Sequence, residues 1–222
     1  MALNSIITTQ AGGKRRFGPM RAALGALFGI AMAGALTRLL EGGYDPTLPF
    51  LVAPLGASAV LVFAVPASPL AQPWPVIGGD LLSAVVGIAV GKLVGDPWLA
   101  GSLAVGLAIA VMMATRCLHP PGGACALLCA LGATGTPAWG WAHLLPFAIN
   151  VVTLCAVGWL YNNATDHPWP HRVPPVAHKP GEPYTREDIE ALLAEWDETL
   201  DVDPDDLDAF VQALLKRGAA RG

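Results

Sequence analysis

The sequence predicts an all-α polytopic membrane protein: two repeats, each a span, a helix broken by proline and glycine, and a second span, followed by a small helical hairpin. Three observations lead there. At 54% hydrophobic and 14% charged, with a mean hydropathy of +0.51, the chain of 222 residues is too apolar for an ordinary soluble domain. Its apolar residues are gathered into runs long enough to cross a hydrocarbon core about 30 Å thick. Finally, a shift of 67 residues lays Pro54-Leu55-Gly56-Ala57-Ser58-Ala59-Val60-Leu61 on Pro121-Gly122-Gly123-Ala124-Cys125-Ala126-Leu127-Leu128 with five of eight positions identical, and the same shift pairs Trp74 with Trp141.

Residues 1–19 read as a basic cytoplasmic N-terminus, because Lys14, Arg15, Arg16 and then Arg21 come with no acid among them. No apolar run with a cleavage site precedes the basic cluster, so the first span, residues 21–40, is expected to be retained. Gly25 and Gly29 lie four apart on it, spacing that lets helices approach closely. After a loop at 41–45, residues 48–65 are apolar but interrupted by Pro49 and Pro54, and form the first broken element. Prolines 66, 69, 73 and 75 around Trp74 predict an irregular loop over 66–76. Residues 77–94 and 99–115 are the next two spans, joined by a tight turn at Asp96-Pro97-Trp98. A helix over 121–133 is short for a full crossing, a Gly, Pro and Trp loop covers 135–141, and residues 144–161 are the last span.

The repeats therefore occupy about 20–95 and 98–162, giving four full spans and two half-helices or short spans. If the broken elements cross the membrane, each repeat has an odd number of crossings and the two are inverted; if they are re-entrant, the repeats are parallel. The total is even in both cases, which puts both termini in the cytoplasm.

Beyond the transmembrane domain, 20–162, lies a Pro-rich linker, 163–183, expected to be stiff and exposed, with histidines 167, 171 and 178 solvated. The hairpin at 184–222 begins with a capping pair, Thr185 and Asp188. Ile189, Leu192, Leu193 and Trp196 form one apolar face, and Leu207, Phe210, Val211, Leu214 and Leu215 are expected on the inner side of a second helix. So small a hairpin has a marginal core, so it is expected to dock on the membrane domain or on another subunit of a homo-oligomer.

Several function classes are excluded. Residues 164–222 carry 6 basic and 13 acidic side chains, the wrong sign for nucleic acid. No P-loop, dinucleotide fingerprint, metalloprotease helix or Ser/His/Asp set is recognisable, so neither an enzyme nor a cofactor is expected. Cys117, Cys125, Cys129 and Cys155 read as free thiols in apolar segments, and Cys117, His119, Cys125 and Cys129 lack the spacing of a metal site.

The stretch Thr115-Arg116-Cys117-Leu118-His119-Pro120-Pro121-Gly122-Gly123-Ala124 is the polar centre of this apolar chain. It resembles the signature of the HPP family of integral membrane proteins, over about residues 15–165. The resemblance implies a four-span protein of a bacterial-type inner membrane, and a link to nitrite transport known for some plant and cyanobacterial members.

On the residues themselves, Pro121 suits a first helical turn and Gly122 and Gly123 let backbone approach a ligand. A helix starting there would aim unpaired N–H groups and its positive dipole end at an anion. Pro54, Gly56, Ala57 and Ser58 repeat that start. Two such starts in equivalent repeat positions point to the central site of a transporter. The expected substrate-binding set is thus Pro54, Gly56, Ala57, Ser58, Arg116, His119, Pro120, Pro121, Gly122, Gly123 and Ala124, with the starts converging and their N–H groups facing one cavity. Arg38, Asp80 and Asn150 are candidate pathway residues, and His119 the candidate proton acceptor. The function expected is a transporter or channel-like protein for a small inorganic anion, nitrite or nitrate being implied by the resemblance; the alternative is a membrane-anchored sensor or scaffold whose tail binds a partner.

Overall fold

The computed structural model describes residues 18–40, 49–172, 184–196 and 202–219; the basic residues 14–16, the loop at 41–45 and His178 lie outside them. Every regular element among the described residues is helical, and the chain divides into two units, Met1–Pro170 and His171–Gly222.

In the first unit α1 (Gly18–Leu40), α3 (Pro73–Val94), α4 (Pro97–Ala114) and α6 (Leu144–Ala164) are the long helices, each with an apolar window sufficient to span a membrane, and α2 (Leu55–Ala64) and α5 (Pro120–Thr134) are the short ones. The irregular loop expected over 66–76 is mostly ordered helix. A 3₁₀ turn covers Pro69–Ala71 and α3 begins at Pro73. Prolines 73 and 75 fall at its first and third positions, where a helix has no internal partner for an N–H, so they cost no hydrogen bond there. Val76 then donates to Gln72 O at 3.0 Å and the ladder proceeds.

Side-chain contacts fix the direction of each element. At the start of α1, Arg21 Nη2 donates to Phe63 O at the end of α2, and Gly25 packs on the Phe63 ring. Toward the end of α1, Gly34 packs on Leu51 and Thr37 accepts from Asn150, whose Oδ1 accepts from Val52 N. Residues 50–64 therefore run the length of the bundle, antiparallel to α1. Helix α5 runs parallel to α3: Gly79 meets His119, Gly87 meets Ala126 and Cys129, and Gly91 meets Ala130 and Ala133. Both middle elements traverse the bundle, so the repeats α1–α3 and α4–α6 are inverted. Of the two topologies open to the sequence, this is the one adopted. The start of α1 and the end of α6 share one end of the bundle, where Tyr161 Oη donates to Arg21 O at 2.8 Å.

The repeats exchange their last helices. Helices α1 and α2 pack with α6, and α4 and α5 pack with α3, making two halves. The second half is closely packed because its seam is small: Ala100, Ala104 and Ala108 of α4 meet Ala126 and Ala130 of α5. A larger core containing Val62, Phe63, Ile88, Phe147 and Leu154 joins the halves.

The stiff, exposed linker expected from residue 163 does not start there, and residues 173–183 lie outside the described ones. α6 continues to Ala164, and the chain then folds back so that Trp169 is only 2% exposed and its Nε1 donates to Ala71 O at 3.0 Å. Asn163 Nδ2 donates to Trp169 O at 2.7 Å and fixes the return. A buried indole wants a partner for its N–H, and the Pro69–Ala71 turn supplies it. Trp169→Phe keeps most of the packing but leaves Ala71 O unpaired, so a loss of about 1–2 kcal/mol is expected in thermal unfolding of the purified protein.

The second unit contains α7 (Arg186–Trp196) and α8 (Pro204–Ala219). The expected capping pair forms, with Thr185 N donating to Asp188 Oδ2 at 2.7 Å. The face of α8 expected to turn inward is half-buried only at Leu207 and Val211. Phe210, Leu214 and Leu215 are exposed, whereas Asp208 and Gln212 are buried. Tyr184 Oη donates to Asp208 Oδ1 at 2.8 Å and Arg186 Nε to Asp205 Oδ1 at 2.8 Å, so polar contacts set the rotation of α8.

Candidate functional site

The motif between α4 and α5 is shaped by how α4 ends. Arg116 sits in the left-handed region with φ 55°, a helix-terminating position usually taken by glycine, and Cys117 N donates to Met112 O at 2.9 Å. The turn sends Arg116 outward to solvent or headgroups and His119, three residues on, into the protein. His119 is extended and caps α5, whose first two residues are Pro120 and Pro121.

The helix starts offer fewer N–H groups than expected. At α5 two of the leading donors are absent because they are prolines, and Gly122 N donates to His119 O at 2.8 Å. At α2, Leu55 N, Gly56 N and Ala57 N donate to Val52, Ala53 and Pro54 carbonyls at 3.0, 3.1 and 3.0 Å. The motif glycines differ in their surroundings. Gly56 and Gly123 have nothing within 4 Å of a Cβ position, while Gly122 is closely packed, its Cβ position 2.7 Å from Gly79 O and 2.8 Å from Ser83 Oγ. Pro54 and Pro121 are buried, and Ala57, Pro120 and Ala124 are exposed.

The two helix starts do meet, through side chains. Ser58, in the first turn of α2, places Oγ 3.0 Å from His119 Nε2 and donates to Asp80 Oδ2 at 2.8 Å. His119 Nδ1 lies 2.7 Å from Leu70 O, and Cys125 Sγ donates to Asp80 Oδ1 at 3.4 Å. Ser58, Asp80 and His119 are each 0% exposed, and Asp80 lies about 10 Å along α3 from its start. Beside them Ser83 Oγ is buried with no hydrogen-bond partner and faces Gly122. Ionisable groups so deep among apolar helices are expensive, which marks the cluster as the functional candidate. It is not a hydrolase triad: serine stands between the other two, and the far nitrogen of the histidine meets a carbonyl, not an acid.

The remaining candidates separate. Asn150 is a structural clamp, with Nδ2 donating to Thr37 Oγ1 at 2.7 Å and to Phe50 O at 3.1 Å while Oδ1 accepts from Val52 N at 3.1 Å. Arg38 is exposed at the end of α1 and Arg116 at the end of α4. Because the repeats are inverted, these two matching arginines sit at opposite ends of the bundle. Cys117 Sγ lies 3.0 Å from Thr115 Oγ1, and among the described residues no three His, Cys, Asp or Glu side chains are placed to share a metal ion.

Sequence reasoning missed a second polar group. Arg21 Nη1 donates to Asn162 Oδ1 at 2.9 Å, and Asn162 Nδ2 donates to Val62 O at 2.9 Å. Together with the Arg21 bond to Phe63 O, this satisfies the last carbonyls of α2, to which the positive guanidinium is also suited by charge. The signal was an asparagine closing the last apolar run.

Four helices long and apolar enough to span a membrane, two shorter apolar helices between them and ionisable side chains in the interior define a polytopic integral membrane protein. The chain belongs to the HPP family, whose transmembrane region matches residues 14–170. Two transmembrane proteins of Dictyostelium discoideum are similar to it, one 47% identical over 92 residues (40% of this chain and 32% of that protein), the other 38% identical over 118 residues (51% and 38%). The alignments thus span about a third of the length of these relatives. No solved structure matches.

Proposed function

We infer that the protein is a secondary transporter or channel for a small inorganic anion, nitrite or nitrate, that passes between the two halves of the bundle near Ser58 and His119. The observation that supports this most is the meeting of the two broken helices of an inverted repeat at one buried polar cluster. Discontinuous elements at the interface of inverted repeats are where transporters hold their substrates. The charge pattern agrees, since Arg38 and Arg116 place exposed cations at both ends of the bundle, where they would attract an anion. The closed packing around the cluster makes this an occluded arrangement that opens by movement of one half against the other. The basic residues 14–16 and Arg21 orient the α1 start toward the cytoplasm of a bacterial-type inner membrane.

The test is anion flux into liposomes holding the full chain, measured electrically with nitrate, because nitrous acid crosses bilayers unaided and mimics uptake. A chain ending at Pro170 separates the second unit from transport; ending at 165 would remove Trp169 from the core. Flux in both supports transport. The scaffold reading has its own support in the exposed Phe210, Leu214 and Leu215 of α8. No flux from either chain, with a specific partner captured by residues 171–222, would replace the transport reading with that one.

A further inference from the structure

We propose that Ser58, Asp80 and His119 form a proton-binding site that holds one exchangeable proton and, while it is bound, latches the two halves of the bundle together. The argument is a count of hydrogens. Leu70 O has no hydrogen to give, so His119 Nδ1, 2.7 Å away, must carry one. The remaining contacts, His119 Nε2 to Ser58 Oγ at 3.0 Å and Ser58 Oγ to Asp80 Oδ2 at 2.8 Å, each need a hydrogen, and the serine hydroxyl supplies one. A carboxylate and a neutral imidazole supply none. One further proton completes the chain, either on Asp80, which then donates to Ser58 while Ser58 donates to Nε2, or on Nε2, which donates to Ser58 while Ser58 donates to Asp80. The two forms interconvert by one concerted shift: the proton on Oδ2 moves to Oγ as the proton on Oγ moves to Nε2.

Charge points the same way. Both protonated forms are neutral overall, whereas losing the proton leaves a net negative charge on fully buried groups, which is costly at low dielectric. The other titratable groups facing the cluster are thiols: Cys125 and Cys129 on α5 and Cys155 on α6. Among the described residues no lysine or arginine pairs with Asp80; His119 Nε2, 3.8 Å from Oδ2, is its one basic neighbour.

The site also lies across the seam. Ser58 belongs to the half made of α1, α2 and α6, whereas Asp80 and Cys125 belong to the half made of α3, α4 and α5, with His119 capping α5. Loss of the proton breaks one of the two bonds through which Ser58 holds the opposite half. The inference does not depend on which ion is carried.

The full chain in lipid nanodiscs, isotope-labelled at aspartate carboxyls and histidine nitrogens, tests the count. At neutral pH either the infrared C=O stretch of a protonated carboxyl or the magnetic-resonance signal of a doubly protonated imidazole is expected, the first lost in Asp80→Asn and the second in His119→Gln. Should either variant fail to fold, Ser58→Ala assigns the signal by shifting it. Asp80 observed as an ordinary carboxylate beside a neutral His119 would overturn the proposal. The latch is read by thiol labelling of Cys155, buried on α6. Asparagine at 80 supplies the missing hydrogen permanently, so the labelling rate of the native chain divided by that of Asp80→Asn should rise about tenfold per pH unit once the proton leaves, the slope for a single proton. A ratio that stays flat with pH would overturn the latch.

Discussion

Gly87→Val is expected to abolish recovery of folded protein, while Gly123→Val assembles normally. A Cβ at Gly87 would collide with the Ala126 carbonyl oxygen and come within 2.7 Å of Cys129 Cβ. The first is backbone of a parallel neighbour held along its length by Gly79 and Gly91, so it cannot yield without prising α5 from α3. Overpacking of this kind costs about 3 kcal/mol or more. Gly29→Val should fall between the two, because its obstacles, Phe63 Cε2 at 2.8 Å and Leu154 Cδ1 at 2.9 Å, are ends of side chains that can turn. Size-exclusion profiles of the three variants in detergent measure the order. If Gly123→Val folds but loses anion flux, the open space at that glycine serves passage; equal loss of folded protein in Gly87→Val and Gly123→Val would contradict the packing described.

The second large effect is expected at Asn150. Asn150→Leu is close in volume, yet it strips the partners from Val52 N and Phe50 O and one partner from Thr37 Oγ1. The Val52 N–H has no water to turn to between apolar helices, and each buried group left unpaired costs about 1–3 kcal/mol. A loss of about 3 kcal/mol or more follows, read as a lower unfolding midpoint in detergent. Unchanged stability would mean that the stretch before α2 holds its shape without the clamp.

The spans were legible because hydropathy is a local property, and the broken elements because Pro54 and Pro121 leave a local mark. Direction was not. An apolar run reads the same whether the chain enters from one side or the other, and the contacts that decide it join residues as distant as Arg21 and Phe63 or Val52 and Asn150. Prolines 73 and 75 read as breakers because the preceding turn, which makes them the start of α3, carries no signal of its own. Asp80 and His119 could be singled out as charges in hydrocarbon and Ser58 as part of the repeated helix start, but nothing local says that the Ser58 hydroxyl connects the other two. Trp169 sits among prolines and histidines that spell a solvated linker, and the partners that bury it, the Ala71 carbonyl and the core beside Gly158, are distant in the chain or carry no local mark. The sequence of α8 is amphipathic, yet periodicity does not say which face has a neighbour.

The exchange of last helices between repeats bears on how the protein is made. When α1, α2 and the stretch before α2 have been synthesised, the Arg21 guanidinium lacks Asn162, and Phe50 O, Val52 N and Val62 O lack the asparagines of α6. All of these partners arrive with the last helix. The first half therefore waits, with polar groups unsettled, through the synthesis of nearly the whole second half, whose α3, α4 and α5 are consecutive and can close on one another at once. The half that begins first is therefore the one completed last, when α6 supplies Asn150 and Asn162.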